Sequence, residues 1–196
     1  PLYFTSGMLA DTKNPDLDAS DPERRGDMEW QAKNVLGKLE ANLKGVGLTM
    51  RDVQAVIEEM NPLPGAVEFM RWARQTFQVA ILSDTFYEFA TPLMAKLDQP
   101  FLLCHRLEVA DDGRITGYRL RQPDPKRAAV KAFHDLHYTV LAAGDSFNDT
   151  AMLEEADAGF FFSAPQNVKD AFPQFDAADT YDELKTRLEE ASLRLG

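Results

Sequence analysis

From residue 62 onward, short apolar runs alternate with stretches whose apolar residues recur at helical spacing. That alternation is the pattern of a parallel sheet covered by helices on its faces. The runs "FQVAILS", "FLLCHRLEV", "YTVLAAG" and "GFFFSAP" are short and almost wholly apolar, as strands buried on both sides must be. Between them, Val67, Phe69, Met70, Trp72 and Ala73 keep helical spacing, and "FYEFATPLMAKL", "DPKRAAVKAFHDLH", "DTAMLEEA" and the closing "YDELKTRLEEASLRL" fit helices. Asp124 stands where a helix N-cap belongs, with Pro125 at the first helical position. Asp112-Gly113, between two extended runs, predicts a hairpin and so one antiparallel excursion.

Residues 13–61 differ. "DTKNPDLDASDPERRGD" is polar and rich in turn formers, while Ala32, Val35, Leu36, Leu39 and Leu43, and then Val53, Val56, Ile57 and Met60, keep helical spacing without any strand pattern. This region is expected to form a helical cap inserted after a first strand, leaving residues 1–12 and 62–196 as an α/β core with a Rossmann-like parallel sheet.

Composition narrows the function. A chain of 196 residues with 44% hydrophobic and 27% charged residues buries a sizeable core. The net charge of −11 disfavours nucleic acid and anionic membranes, so an anionic ligand must be held by local donors. No apolar run approaches the roughly 18 residues of a membrane helix, and no basic-then-apolar leader is present. A single cysteine, Cys104, in an apolar run allows no disulfide framework within the chain, so a reducing cytoplasm is the default expectation.

Three stretches carry candidate chemistry. Ser83 follows an apolar run, where the carboxyl ends of strands form the ligand crevice, and its hydroxyl with nearby backbone amides suits a phosphate oxygen; a helix cap uses the same residue types. Lys126 puts a cation in the first turn of a helix, against the helix dipole, which a surface lysine or a phosphate-neutralising group would each explain. "GDSFNDT" places Asp145, Asn148 and Asp149 at a strand end. Hard oxygen ligands of this kind suit Mg²⁺, and two acids flanking an amide exceed what a cap needs. His134 and His137 sit three apart on a helix without a third ligand at metal spacing, so surface or packing roles are expected.

A hydroxyl at one strand end, a lysine at a helix start and a Gly-Asp-x-x-Asn-Asp cluster at another strand end, in that order, resemble the haloacid-dehalogenase-type phosphatases. "ILSDTFYEF", "LLCH", "LRQPDPKR" and "AAGDSFNDTAML" are similar to one subgroup, phosphoserine phosphatases that also pass the phosphoryl group to homoserine, over about residues 46–196. The resemblance implies a Mg²⁺-dependent reaction through an aspartyl-phosphate on a small phosphorylated metabolite of the phosphoserine type. Ser83, Asp84 and Thr85 would bind substrate with Lys126, which stabilises the charge between nucleophile and phosphate. Asp145 would ligate Mg²⁺, with Asn148 and Asp149 supporting the metal's surroundings and the lysine.

The family's first motif, Asp-x-(Asp or Glu)-Gly-x-Leu, meets "LYFTSGMLADT" here. Gly7 and Leu9 align without a gap, putting Phe4 at the nucleophile position and Ser6 at the general acid and base position. Asp16 and Asp18 have the Asp-x-Asp spacing but follow a turn, and Asp11 is a further candidate. Two outcomes stay open: a working phosphatase or phosphotransferase, and a non-catalytic relative that keeps a phosphate pocket or serves as a scaffold. A phospho-signalling receiver domain suits neither the helical insertion nor the late position of the paired acids.

Overall fold

A computed structural model of the chain describes residue 45 and residues 49–196. Phe4, Ser6, Asp11, Asp16, Asp18 and the helical pattern of residues 32–43 lie outside the described residues. In chain order the elements are α1 (Met50–Glu59), α2 (Ala66–Thr76), β1 (Ala80–Phe86), α3 (Tyr87–Ala95), β2 (Phe101–Val109) and β3 (Ile115–Arg119). They continue with α4 (Pro125–Asp135), β4 (Leu141–Gly144), a 3-10 turn (Phe147–Asp149), α5 (Thr150–Glu155), β5 (Ala158–Phe162), α6 (Gln166–Ala171), β6 (Asp176–Ala178) and α7 (Tyr181–Leu195).

Strand β5 shows how the pattern becomes layers. Phe160 and Phe161 are consecutive, so the pleat points them to opposite faces, and both are buried. Phe161 joins Val130 of α4, Met152 and Leu153 of α5 and Val168 of α6 on one side. On the other, Phe160 joins Ala178 and the α7 residues Leu184, Leu188 and Ala191, against which Phe69 and Trp72 of α2 also pack. Helices therefore cover both faces of β4-β5-β6, whose strands are all parallel.

A second sheet, β1-β2-β3, pairs β1 with β2 in parallel and β2 with β3 antiparallel through the expected Asp112-Gly113 turn, where Gly113 takes the left-handed φ of +84°. Among the described residues the strands form two three-stranded sheets, with no pairing between β1 and β4; the first strand expected within residues 1–12 lies outside the described residues. Helix α4 bridges them: Leu82 of β1 packs against the same cluster as Val130 and Ala142. Helix α1 lies against α3. It reaches the hairpin through Arg51, whose guanidinium donates to the Asp111 carbonyl at 2.6 Å, and Lys96 donates to the carbonyls of Glu58 and Met60.

Two local expectations are corrected. Asp124 is the N-cap residue of α4, but it adopts φ +44° and its side chain caps no backbone amide. The residue before a proline is pushed out of the right-handed helical region, and aspartate tolerates the left-handed one. Ser83 does not follow β1; it lies within it.

Candidate active site

The chemistry gathers where β1 and β4 end. Leu82 pairs with Leu103 and Phe86 with His105, so three residues of β1, Ser83 to Thr85, face only Cys104 across the ladder. Such a bulge turns side chains and amides out of the regular ladder, and bulges cluster beside functional sites. Within it the Thr85 amide donates to the Ser83 hydroxyl oxygen at 3.3 Å. No side chain caps α3, so the capping role open to Ser83 is not the one it fills. Cys104 opposite is buried, and burial together with the nearby Glu88 carboxylate pushes its thiol up to about 11, leaving it an inert packing group.

Asp84 of β1 meets Lys126 of α4. The Lys126 ammonium stands 2.7 Å from Asp84 Oδ2 and 2.8 Å from Asp149 Oδ1, with side-chain exposures of only 11%, 20% and 9% for the lysine, Asp84 and Asp149. Burial works against the ammonium, yet the charge of Asp84 and hydrogen bonds to both carboxylates outweigh it and hold its pKa above the usual lysine value. This answers why a cation occupies the first turn of α4. The dipole penalty at that position is typically below about 1 kcal/mol, far smaller than what two desolvated carboxylates return.

Asp149 is itself pinned. Its Oδ2 accepts from the backbone amides of Asp145 and Ser146 at 3.0 Å each and from the Ser146 hydroxyl at 2.8 Å. Burial raises its carboxyl pKa, but the Lys126 hydrogen bond and charge, with those loop donors, win and hold it below the ordinary value. Ser146 was missed by the sequence reading, although its signal was available: Ser-x-x-Asp is the spacing of a capping box.

The space at Gly144 belongs to this carboxylate, since a Cβ there would sit 2.4 Å from the Asp149 Cβ. That contact is with the root of the side chain, which cannot swing away. Gly144→Ala is expected to displace Asp149 and lower stability by about 1–3 kcal/mol, the range for overpacking a filled site. Urea unfolding checks this, and a midpoint equal to the parent's would show the loop yields freely.

Asp145 is exposed at the end of β4, with Asn148 exposed beside it. Although the residue as a whole is exposed, partial desolvation of its carboxyl and the charge of Asp149 push the Asp145 pKa up. Two carboxylates thus contact the ammonium, and Asp145 lies within its electrostatic reach. Both oxygens of Asp149 are occupied, which leaves Asp145 and Asn148 as the hard oxygen donors of this loop open to a cation. Among the described residues no cluster of three acidic, His or Cys side chains is arranged to hold a metal. Mg²⁺ commonly uses one or two carboxylates and keeps several waters, so the donors present fit part of such a shell. His134 is elsewhere, its Nε2 3.0 Å from Asp157 Oδ2, and His137 is exposed.

The sequence profile of the haloacid dehalogenase-like hydrolases matches residues 14–157, almost three-quarters of the chain. The chain belongs to that family. Within it, the chain is 58% identical over 148 residues to the phosphoserine phosphatase ThrH of Pseudomonas aeruginosa, a match covering 76% of this chain and 72% of that protein. It is equally identical, over the same length, to a phosphoserine phosphatase of Pseudomonas syringae pv. tomato, of which the match covers 62%, so the chain spans about three-fifths of that relative. The fold superposes on a crystal structure of a phosphoserine phosphatase in its apo form with a TM-score of 0.60 at 20% identity, covering 82% of this chain and 84% of that one. Among the described residues no helix is long and apolar enough to cross a membrane.

Proposed function

We propose that this chain has the site of a Mg²⁺-dependent phosphomonoesterase or phosphotransferase for small phosphorylated metabolites of the phosphoserine type, with a degenerate first motif. The observation that carries the proposal is the buried ammonium of Lys126, held between Asp84 and Asp149 beside the bulge of Ser83–Thr85. The similarity to phosphoserine phosphatases points to the substrate class.

In this reading the Ser83 hydroxyl and backbone amides of the bulge bind phosphoryl oxygens, the Thr85 amide exchanging its bond to Ser83 for one to the ligand. Lys126 compensates charge on the transferring group, which is most of what a loose phosphoryl transition state needs. Asp149 keeps the lysine aimed and protonated. Asp145 and Asn148 would hold Mg²⁺, whose double charge offsets the excess of carboxylates that would otherwise repel a phosphate dianion. Residues 1–12 and 62–196 form the core and residues 13–61 the cap that selects the substrate, with α1 docked on α3 and the hairpin. A cytoplasmic metabolic setting fits the substrate class.

The second reading, a non-catalytic relative that only binds phosphate, is favoured by one observation: Phe4 and Ser6 occupy the aligned first-motif positions. Phenylalanine offers no nucleophile. Phosphoserine hydrolysis with Mg²⁺ by the parent chain and by a Phe4→Asp, Ser6→Asp double variant, with orthovanadate titration of both, separates the cases. We expect the parent to bind vanadate and turnover to appear only in the double variant. Turnover by the parent reassigns the nucleophile to Asp11, Asp16 or Asp18. Absence of both vanadate binding and turnover in both chains overturns the proposal.

A further inference from the structure

His105 is buried to 2% exposure at the last register pair of β1 and β2, one ladder step beyond the bulge. Its Nδ1 accepts the backbone N–H of Arg121 at 3.1 Å. An accepting nitrogen carries no proton, so the neutral ring has its proton on Nε2. That second nitrogen is buried and without a partner among the described residues. A leucine or phenylalanine would fill the space beside Phe86 but offer the Arg121 amide no acceptor. Packing therefore does not account for a histidine here. What the ring supplies is an acceptor at the δ position.

That acceptor holds the connection leading into α4. Arg121 opens the short polar stretch from β3 to α4, and the stretch ends in the left-handed Asp124, Pro125 and then Lys126. Lys126 lies five positions after Arg121, and the ring is within electrostatic reach of both Lys126 and Asp84. We propose that His105 is a positioning residue for Lys126: by accepting the Arg121 amide it ties the β3–α4 connection to β2 and so fixes the lysine between its two carboxylates. The proposal rests on the phosphoryl-transfer reading for what the lysine does, not for how it is held.

The test compares His105→Asn, whose side-chain oxygen sits at the δ position and keeps the acceptor, with His105→Gln, which moves the amide one carbon outward. Lysine acetylation by an N-hydroxysuccinimide ester is followed residue by residue by mass spectrometry, with Lys131 and Lys185 as internal references. Losing one such hydrogen bond is expected to raise Lys126 labelling about fivefold in His105→Gln and to leave it near the parent rate in His105→Asn. Equal labelling in all three chains overturns the proposal, and so does an equal rise in both variants. Should the glutamine variant fail to fold, nitrogen-15 NMR of the parent ring decides: protonated Nε2 with bare Nδ1 is expected, and a protonated Nδ1 overturns it. No arm uses phosphate, metal or turnover, so a failed vanadate titration and a failed histidine test are separate results.

Discussion

Lys126→Met should lower the melting temperature by about 10 °C at neutral pH and abolish measurable orthovanadate binding. Removing one partner from a buried charge group leaves the others uncompensated, which costs about 3–5 kcal/mol, and each kcal/mol shifts the midpoint of a chain this size by about 2–4 °C. The three side chains are at most 20% exposed, so water screens them little. The pH dependence gives a second signature. Lys126 has its pKa raised in the folded chain, so its contribution is complete below the ordinary lysine value and is lost only as alkaline pH passes the raised one. Asp149 has its pKa depressed, so its contribution is present above the ordinary carboxylate value and is lost as pH falls through the depressed one.

Without the ammonium, burial acts on Asp149 against the loop donors alone, so its pKa rises relative to the parent and the variant loses less on acidification. The gap between parent and Lys126→Met should therefore narrow from pH 7 toward pH 4. Melting curves across that range check both statements. A gap below about 2 °C, or one that stays constant with pH, would mean the cluster is far more hydrated than its exposures indicate.

Much of this fold was legible because strands buried on both faces have a compositional signature: "GFFFSAP" and "FLLCHRLEV" admit little else. What was not legible depended on partners far away in sequence. Strand β6 is only Asp176–Ala178, with no apolar run of its own; it exists because it pairs with Phe160–Phe162 and because Ala178 fills a fully buried place under α7. Helix α6, six residues long, owes its position to Val168 in the core and carries too little pattern to be read.

The site divides in the same way. Lys126 stood out because its charge opposed the local dipole, a conflict visible within one turn of helix. Its pairing with Asp84 spans 42 residues and follows from the bulge, which appears only when the ladder partners of Ser83–Thr85 are counted. In "ILSDTF" a strand that ends and a strand that bulges look alike. His105 was hidden for a related reason: a histidine in an apolar run reads as packing until its ring nitrogens are traced to their partners.

Asp149→Asn is the other change with a large expected effect, because an amide cannot reproduce what this carboxylate does. One oxygen accepts from Lys126 while the second accepts from two backbone amides and a hydroxyl. Asparagine has one oxygen and one NH₂, so in either orientation the NH₂ faces donors. Turned toward the lysine, it confronts the ammonium. Turned toward the loop, it leaves the amides of Asp145 and Ser146 without an acceptor. Either arrangement should cost about 3 kcal/mol, between the loss of a neutral hydrogen bond and the breaking of a buried charge pair. Ser146→Ala removes one of the loop donors and keeps the ion pair, so about 1 kcal/mol is expected there.

The ratio of those two losses in urea unfolding measures how much of the cluster's stability is charge and how much is loop capping. A companion readout is the Asp145 carboxyl. Burial and the charge of Asp149 hold its pKa up, so removing that charge should bring it down, visible by NMR titration. An Asp149→Asn chain within about 1 kcal/mol of the parent, with Asp145 unmoved, would show that Lys126 leans on Asp84 alone. The expected pair of changes would instead tie the loop's fold and the lysine's aim to one carboxylate, so that the turn after β4 cannot relax without also releasing the cation on α4.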